Sequence, residues 1–295
     1  MRARLLLNPA AGRGRGARRC ARLEALARAA GIGFETSTSA GDLVERARRA
    51  AEEGVERLLV AGGDGTWHWA AQGLAGSATA LAPIALGTGN DLARELGFPL
   101  DAEAAFRSAL AGELARIDLG LLGGRRFCGV AGVGFDAAVA EYARTRVRRL
   151  RGPAVYAWAT IATLATYRSP AVTLVTDGGE YRGEVFFVAF ANTSHYGGGM
   201  RIAPGADPAD GRIEIVVVRR CSKLRLLGVF PRVYRGGHVG HPAVTLLSAT
   251  RGSLEIRPAQ LINADGEGLG RTGEEALAIG VEPGALAVVR APDMH

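Results

Sequence analysis

Lysine is almost missing from this chain: Lys223 is the only one among 36 basic residues. That scarcity argues against a lysine nucleophile and against a phosphate loop of the Gly-Lys-Ser/Thr kind. Cysteine is scarce too. Cys20, Cys128 and Cys221 are odd in number, scattered, and lack metal-ligand spacing. A disulfide framework and a thiolate metal centre are therefore not expected, and a reducing, cytoplasmic setting is. No apolar run reaches the length of a membrane span. Leu5-Leu6-Leu7 is too short for the apolar core of a secretion signal and runs straight into Asn8-Pro9. Asparagine survives only at Asn8, Asn90, Asn192 and Asn263, each just after an apolar, strand-like run. Where composition pushes a residue type out, the survivors mark positions with a specific task. Turn geometry alone is the other reading.

What is present fits a globular protein. The 295 residues are 48% hydrophobic and 22% charged, enough for one large domain or two modest ones. A net charge of +7 favours nucleic acid, an anionic membrane surface or phosphorylated ligands as partners.

In the first half, strand-like and helix-like segments alternate. Strands are expected at Arg2 to Leu7, Gly33 to Thr36, Leu58 to Ala61 and Leu81 to Leu86. Helices are expected at Ala17 to Ala30, Asp42 to Glu52, Trp67 to Leu74, Asp91 to Leu96 and Ala102 to Ala111. This alternation specifies a parallel sheet with helices on both faces. The character changes after Arg116 to Gly120. Helices at Ala138 to Arg149 and Ala154 to Thr166 are followed mainly by strands, as at Gly183 to Phe190 and Arg212 to Val218. The expected architecture is an α/β N-terminal domain over residues 1–120, with 281–295 free to rejoin it, and a β-rich antiparallel domain over 121–280.

Ligands of such sheets bind beyond the carboxyl ends of the strands. Asn8, the turn Gly62-Gly63-Asp64-Gly65-Thr66 and the turn Gly87-Thr88-Gly89-Asn90 all fall there, after three different strands. Glycine lets the backbone approach a phosphate closely, and a following helix offers unpaired N–H groups. Asp64 would repel a phosphate unless a cation lies between them, which suggests a magnesium ligand. Asp91 is either part of this site or a cap on the next helix.

Gly-Gly-Asp-Gly-Thr followed by Pro83-x-x-x-Gly87-Thr88-Gly89-Asn90-Asp91-Leu92-Ala93-Arg94 resembles the bacterial diacylglycerol kinase and related lipid kinase family. Further matches are Asn8-Pro9 with Gly12, Gly132-x-Gly134-Phe135-Asp136, Tyr196 to Met200, and Asp265-Gly266-Glu267. The resemblance runs over essentially the whole chain. It implies a lipid kinase of NAD-kinase-like fold, with ATP and Mg²⁺, acting peripherally on membranes, with diacylglycerol as the favoured acceptor. Gly63, Asp64, Gly65, Thr66 and Thr88 then correspond to ATP contacts. Ser37 is a further match, in a register that Thr36 and Thr38 leave open. Glu267 corresponds to the proton acceptor. Asp210, with the backbone carbonyls of Asp207 and Arg212, corresponds to a structural Mg²⁺ site. A homodimer is possible, and nucleic acid is not an expected partner.

The residues of Asp265-Gly266-Glu267 permit two geometries. An extended segment points both carboxylates into one cleft, and either could take a hydroxyl proton. A tight turn at Gly266 splays them. The run Arg144, Arg146, Arg148, Arg149 and Arg151 beside the apolar segment Pro153 to Tyr167 reads either as a membrane-surface element or as a core helix with basic neighbours. Arg13, Arg15, Arg18 and Arg19 are open in the same way, to phosphate binding or a solvated helix face. His238 and His241 lack partners for a metal site. One departure stands out. The family usually has Thr-x-Asn-Glu after the first glycines, where this chain has Thr66-Trp67-His68-Trp69. The change leaves room for a kinase of another alcohol (sphingoid base, ceramide, another glycerolipid or NAD) or for an inactive nucleotide- or lipid-binding regulator.

Overall fold

The computed structural model describes residues 2–12, 16–147 and 153–292. Strands β1 (Ala3–Leu7), β2 (Gly33–Thr36), β3 (Arg57–Gly62) and β4 (Ala80–Ala85) pair in parallel in the order β2-β1-β3-β4. Every residue of β4 is buried, because such a sheet is covered on both faces. Helices α1 (Gly16–Ala29), α2 (Ala40–Glu52) and α3 (Asp64–Leu74) connect these strands. Ser39 caps α2 by accepting from the Asp42 amide, and Leu43, Ala47 and Ala50 turn inward at helical spacing. Strand order reverses between β1 and β3, so the first two loops flank a topological switch point.

After α4 (Asp91–Glu95) and α5 (Ala102–Ala111) the chain enters a β-rich region. It begins with β5 (Glu113–Leu122), β6 (Arg125–Phe127) and β7 (Val130–Gly134). Helices α6 (Phe135–Thr145) and α7 (Pro153–Thr166) follow, then β8 (Ala171–Thr176), β9 (Gly179–Ala191) and β10 (Ile213–Arg219). Next come α8 (Lys223–Val229), a 3-10 turn (Phe230–Arg235), β11 (Val244–Ala249) and β12 (Arg251–Arg257). The chain closes with β13 (Leu261–Ala264), β14 (Glu267–Arg271) and β15 (Leu277–Arg290).

Within this region every strand pairing among the described residues is antiparallel. The first half of β9 pairs with β8 and its second half with β7 and β10, so one strand ties two packed sheets together. Period-2 alternation divides β10. Ile213, Ile215 and Val217 face the core between the sheets, while Val216 and Val218 face the helical layer. β15 carries the chain back: Leu277 to Gly280 pair with β12, Leu286 to Arg290 with β5, and Val288 lies opposite Leu81 of β4 in parallel register.

Three features differ from the expected elements. The change of character at Arg116 to Gly120 lies inside β5 rather than at its end. There the buried Asp118 accepts the amides of Gly211 and Gly284, both at 2.7 Å, so a turn-like composition is held as strand. The first glycine turn is not a loop before α3; Asp64 to Thr66 are its first turn. α8 and the 3-10 turn were not expected, because apolar residues on both their faces hide the helical period.

At the start of α6, Asp136 has Oδ1 sealed from solvent without a partner, and Oδ2 accepts from the Tyr196 hydroxyl at 3.2 Å. Burial, the largest cause, pushes its pKa from 3.8 up to about 6. Between those values the folded chain keeps a proton that the unfolded chain has lost, so stability falls as pH rises through this window. Asp136→Asn cannot titrate. Its melting temperature relative to wild type should therefore rise between pH 4 and pH 7, a change of up to about 3 kcal/mol in relative stability. A pH-independent difference would show that the carboxyl does not titrate there.

Candidate active site

Three loops meet at the carboxyl edge of the parallel sheet. Leu86 and Gly87 both donate their amides to the Gly62 carbonyl, at 2.7 and 3.1 Å. A Cβ on Gly87 would lie 2.7 Å from the Gly63 Cα, so these glycines let two loops touch backbone to backbone. Asn8 joins them across the switch point: Nδ2 donates to Thr66 Oγ1 at 2.9 Å, and Oδ1 accepts from the Ala10 amide. Asn90, at φ +57°, folds its side chain back on Gly87, accepting from the amide at 3.1 Å and donating to the carbonyl at 3.0 Å. Gly62 to Asn90 therefore form one rigid cradle around the N-terminus of α3, with Thr88 exposed at its rim. Gly63 is the N-cap and brings no side chain of its own, an arrangement suited to anionic oxygens.

The carboxylates do not all play the parts the sequence suggested. Asp64 bonds to the second glycine loop and the start of α4. Its Oδ2 accepts from the Asn90 amide at 2.7 Å, and Oδ1 from Asp91 and Leu92 at 2.7 and 3.2 Å. The oxygens expected to bind magnesium hold the N-terminus of α4. Burial first, then the neighbouring Asp91, push its pKa up to about 7. Asp91 is not a cap on its own helix. It reaches the second region and accepts the amides of Gly198 and Gly199, both at 2.8 Å. Burial, the largest cause, raises its pKa as well. Beside it Glu95 accepts from the Ser194 hydroxyl at 2.8 Å and contacts His195 Nδ1 at 3.1 Å.

Asp265 and Glu267 are splayed by a tight turn, Asp265 at φ +51° and Gly266 at φ +85°. Asp265, one of the two expected proton acceptors, is surrounded by donors. Oδ1 accepts from the Gly129 and Val130 amides, and Oδ2 from Cys128 and His68 Nδ1, at 2.8 to 3.2 Å. Because the carboxylate only accepts, His68 carries its proton on Nδ1. Glu267 is left at the cleft. A Cβ on Gly65 would lie 2.0 Å from its Oε1, so the carboxylate rests on the first turn of α3.

The unusual Thr66-Trp67-His68-Trp69 segment is thereby explained. Trp67 is fully buried, its indole N–H donating to the Val60 carbonyl at 2.9 Å, and Trp69 packs on the same core. Neither obstructs the cradle. His68 is the functional surprise: it bonds across the two regions to the turn that presents Glu267. Its departure from the family's asparagine was the signal in the sequence. Glu95 and Asp118 gave none.

Other expected positions are less central. The Ser37 hydroxyl, expected as an ATP contact, is buried and donates to the Leu7 carbonyl at 3.0 Å; Thr36 is exposed. Asp207, Asp210 and Arg212 share one exposed turn, where Asp207 accepts from the Ala209 amide and Asp210 from that of Arg212. Among the described residues no three His, Cys, Asp or Glu side chains converge as metal ligands. His238 Nε2 donates to the Ile202 carbonyl at 2.8 Å. Arg18 and Arg19 are exposed, and Arg144 pairs with Glu141. Arg13, Arg15, Arg148, Arg149 and Arg151 lie outside the described residues.

Two family models match this frame: the diacylglycerol kinase catalytic domain over residues 2–122, and the YegS C-terminal NAD kinase beta sandwich-like domain over residues 129–290. The chain belongs to the diacylglycerol kinase family. A diacylglycerol kinase of Mycobacterium tuberculosis is 36% identical over 248 residues, 82% of this chain and 79% of that protein. One from Bacillus subtilis is 28% identical over 273 residues, 90% of this chain and 89% of its own. A crystal structure of a diacylglycerol kinase from Bacillus anthracis superposes with a TM-score of 0.74 at 21% identity, covering 100% of this chain and 98% of that one. The chain is accordingly a lipid kinase with the NAD-kinase-like fold. No helix among its described residues is long and apolar enough to cross a membrane.

If His68 holds the turn that presents Glu267, the family's asparagine should replace it better than an apolar residue. His68→Leu leaves Asp265 one donor short in a buried site and should cost about 2 kcal/mol of stability. His68→Asn should recover most of that loss. Equal melting temperatures for the two variants would show that the turn does not depend on this bond.

Proposed function

We propose that the chain transfers the γ-phosphoryl group of ATP to the free hydroxyl of diacylglycerol, giving phosphatidic acid and ADP. The observation that carries this reading is the carboxylate of Glu267 resting on Gly65. In this reading Glu267 is the proton acceptor, lying against the first turn of α3 beside the glycine loops. The acceptor hydroxyl oxygen forms the new bond to phosphorus, the bond from the γ-phosphorus to the bridging oxygen breaks, and Glu267 takes the hydroxyl proton. The α3 N-terminus and the Gly87 to Asn90 loop hold the phosphates in line.

The residues fit a nucleotide that arrives with its own metal. Mg²⁺ is commonly held by phosphates, waters and one or two carboxylates rather than by an all-protein cage. Glu267 is the carboxylate placed to share it, and the ion would offset charge on the phosphate oxygens. A second Mg²⁺ on Asp210 and the carbonyls of Asp207 and Arg212 belongs to the same reading, as a brace for that turn. The names of the relatives support diacylglycerol as acceptor. The substitution at Thr66 to Trp69 keeps other alcohols in view.

Labelled ATP should be supplied with diacylglycerol, sphingosine, ceramide, monoacylglycerol and NAD in parallel. Label is expected in phosphatidic acid, and Glu267→Gln should lower kcat by about 10²–10⁴-fold with KM for ATP little changed. Label in another acceptor would replace the substrate. ATP binding with no labelled product would indicate a regulator, and full activity in Glu267→Gln would remove the proposed base.

A further inference from the structure

Between Glu214 and Glu255 the chain has no acidic residue and seven basic ones. α8 and the 3-10 turn after it lie in this stretch. Their inner stripe, Leu226, Val229 and Val233, is buried. Their outer stripe is apolar as well. Leu224 is 82% exposed, Tyr234 51%, and Leu227 and Phe230 between them are also exposed. A helix that faces only water carries polar residues on that side. Here exposed Arg225, Arg232 and Arg235 flank the apolar stripe instead.

Two connections give this surface a place in the molecule. Lys223, the chain's one lysine, donates Nζ to the Ala165 carbonyl at 2.8 Å and fastens α8 to the end of α7. α7 exposes Trp158 and Ile161, 52% and 56% accessible. The 3-10 turn is joined to the cleft: the Arg201 amide donates to the Val233 carbonyl at 3.0 Å, and the same short segment includes Gly198 and Gly199, held by Asp91.

We infer that the outer face of α8 and the 3-10 turn seats the protein on an anionic phospholipid bilayer. Leu224, Leu227, Phe230 and Tyr234 enter the headgroup boundary, and the flanking arginines meet lipid phosphates. Charge complementarity selects this occupant. A second copy of the chain would set the same acid-free, basic stretch against itself, whereas an anionic membrane neutralises it. The relevance to catalysis rests on the lipid kinase reading, since a bilayer-held alcohol would then be presented beside the wall of the cleft. The binding itself needs neither nucleotide nor turnover.

The test is co-sedimentation of the full chain, without ATP, with phosphatidylcholine vesicles that contain or lack phosphatidylglycerol. Wild type should bind the anionic vesicles. The double variants Leu224→Ser/Phe230→Ser and Arg225→Glu/Arg232→Glu should each bind about tenfold more weakly. Both should keep the wild-type melting temperature, and Leu100→Ser, an exposed apolar change in the other region, should bind as wild type. The charge-reversal variant changes only exposed side chains, so it decides the matter if the serine variant melts early. Wild type that ignores anionic vesicles, or double variants that bind like wild type, would overturn the inference. A wild-type dimer that the serine variant converts to monomer, with vesicle binding intact, would do so too and make the face a contact between copies. Vesicle binding by a chain that labels no lipid would uphold this surface and refute the kinase proposal separately.

Discussion

Backbone amides bonded to buried carboxylates set the geometry of the cleft. Asp64 gathers the first amides of α4, Asp91 those of the glycine turn at Gly198, and Asp265 those of Cys128 to Val130. A buried carboxylate without partners is strongly unfavourable, and so is a buried amide without an acceptor. Pairing them removes both penalties at once and specifies a single arrangement. All of these contacts lie within the protein, so the loops are held by the chain's own groups. Preorganisation of this sort lowers the ordering cost of binding and keeps dipoles aimed where charge develops.

The same bonds fix how the two regions face each other. Asp91 and Glu95 extend from α4 to the segment between Ser194 and Gly199, while His68 extends from α3 to Asp265. One pair of contacts sets the wall of the cleft and the other sets the turn bearing Glu267. β15 adds a covalent return, running from the β-rich sheets to the edge of β4. A displacement of either region would therefore break charge-assisted hydrogen bonds as well as apolar contacts.

Much of the frame was legible in the sequence because local signals agreed with each other. The alternation of apolar runs with amphipathic segments located β1 to β4 and the helices between them, and α5 has the expected bounds. The three loops at one edge followed from strand direction alone. What stayed hidden was the direction of side chains. The composition of Asp265-Gly266-Glu267 allows both an extended and a turned backbone, and only the positive φ angles decide between them. The hydrogen bonds of Asp64 were not legible, because its partners lie 26 to 28 residues away, beyond any local pattern. Ser37 looked available for the same reason, its acceptor being 30 residues distant. α8 escaped notice because a stripe on each face erases the period by which helices are recognised.

The substitution in the first turns of α3 bears on charge as well as shape. In Thr66-Trp67-His68-Trp69 the position that usually carries glutamate holds Trp69, which packs on the core. Asp91 already lies close enough to Asp64 to hinder its ionisation, and is the second cause, after burial, of its raised pKa. A further carboxylate one turn along α3 would add to that repulsion and oppose a polyphosphate at the helix N-terminus. Replacing it with an indole removes one negative charge, and the neighbouring His68 supplies a bond to the Asp265 turn. Glu267 then stands as the carboxylate directed at Gly65, in a site whose other acids are engaged by amides. The chain therefore departs from its family in sequence at a place where the physical requirement, a donor facing Asp265, is still met.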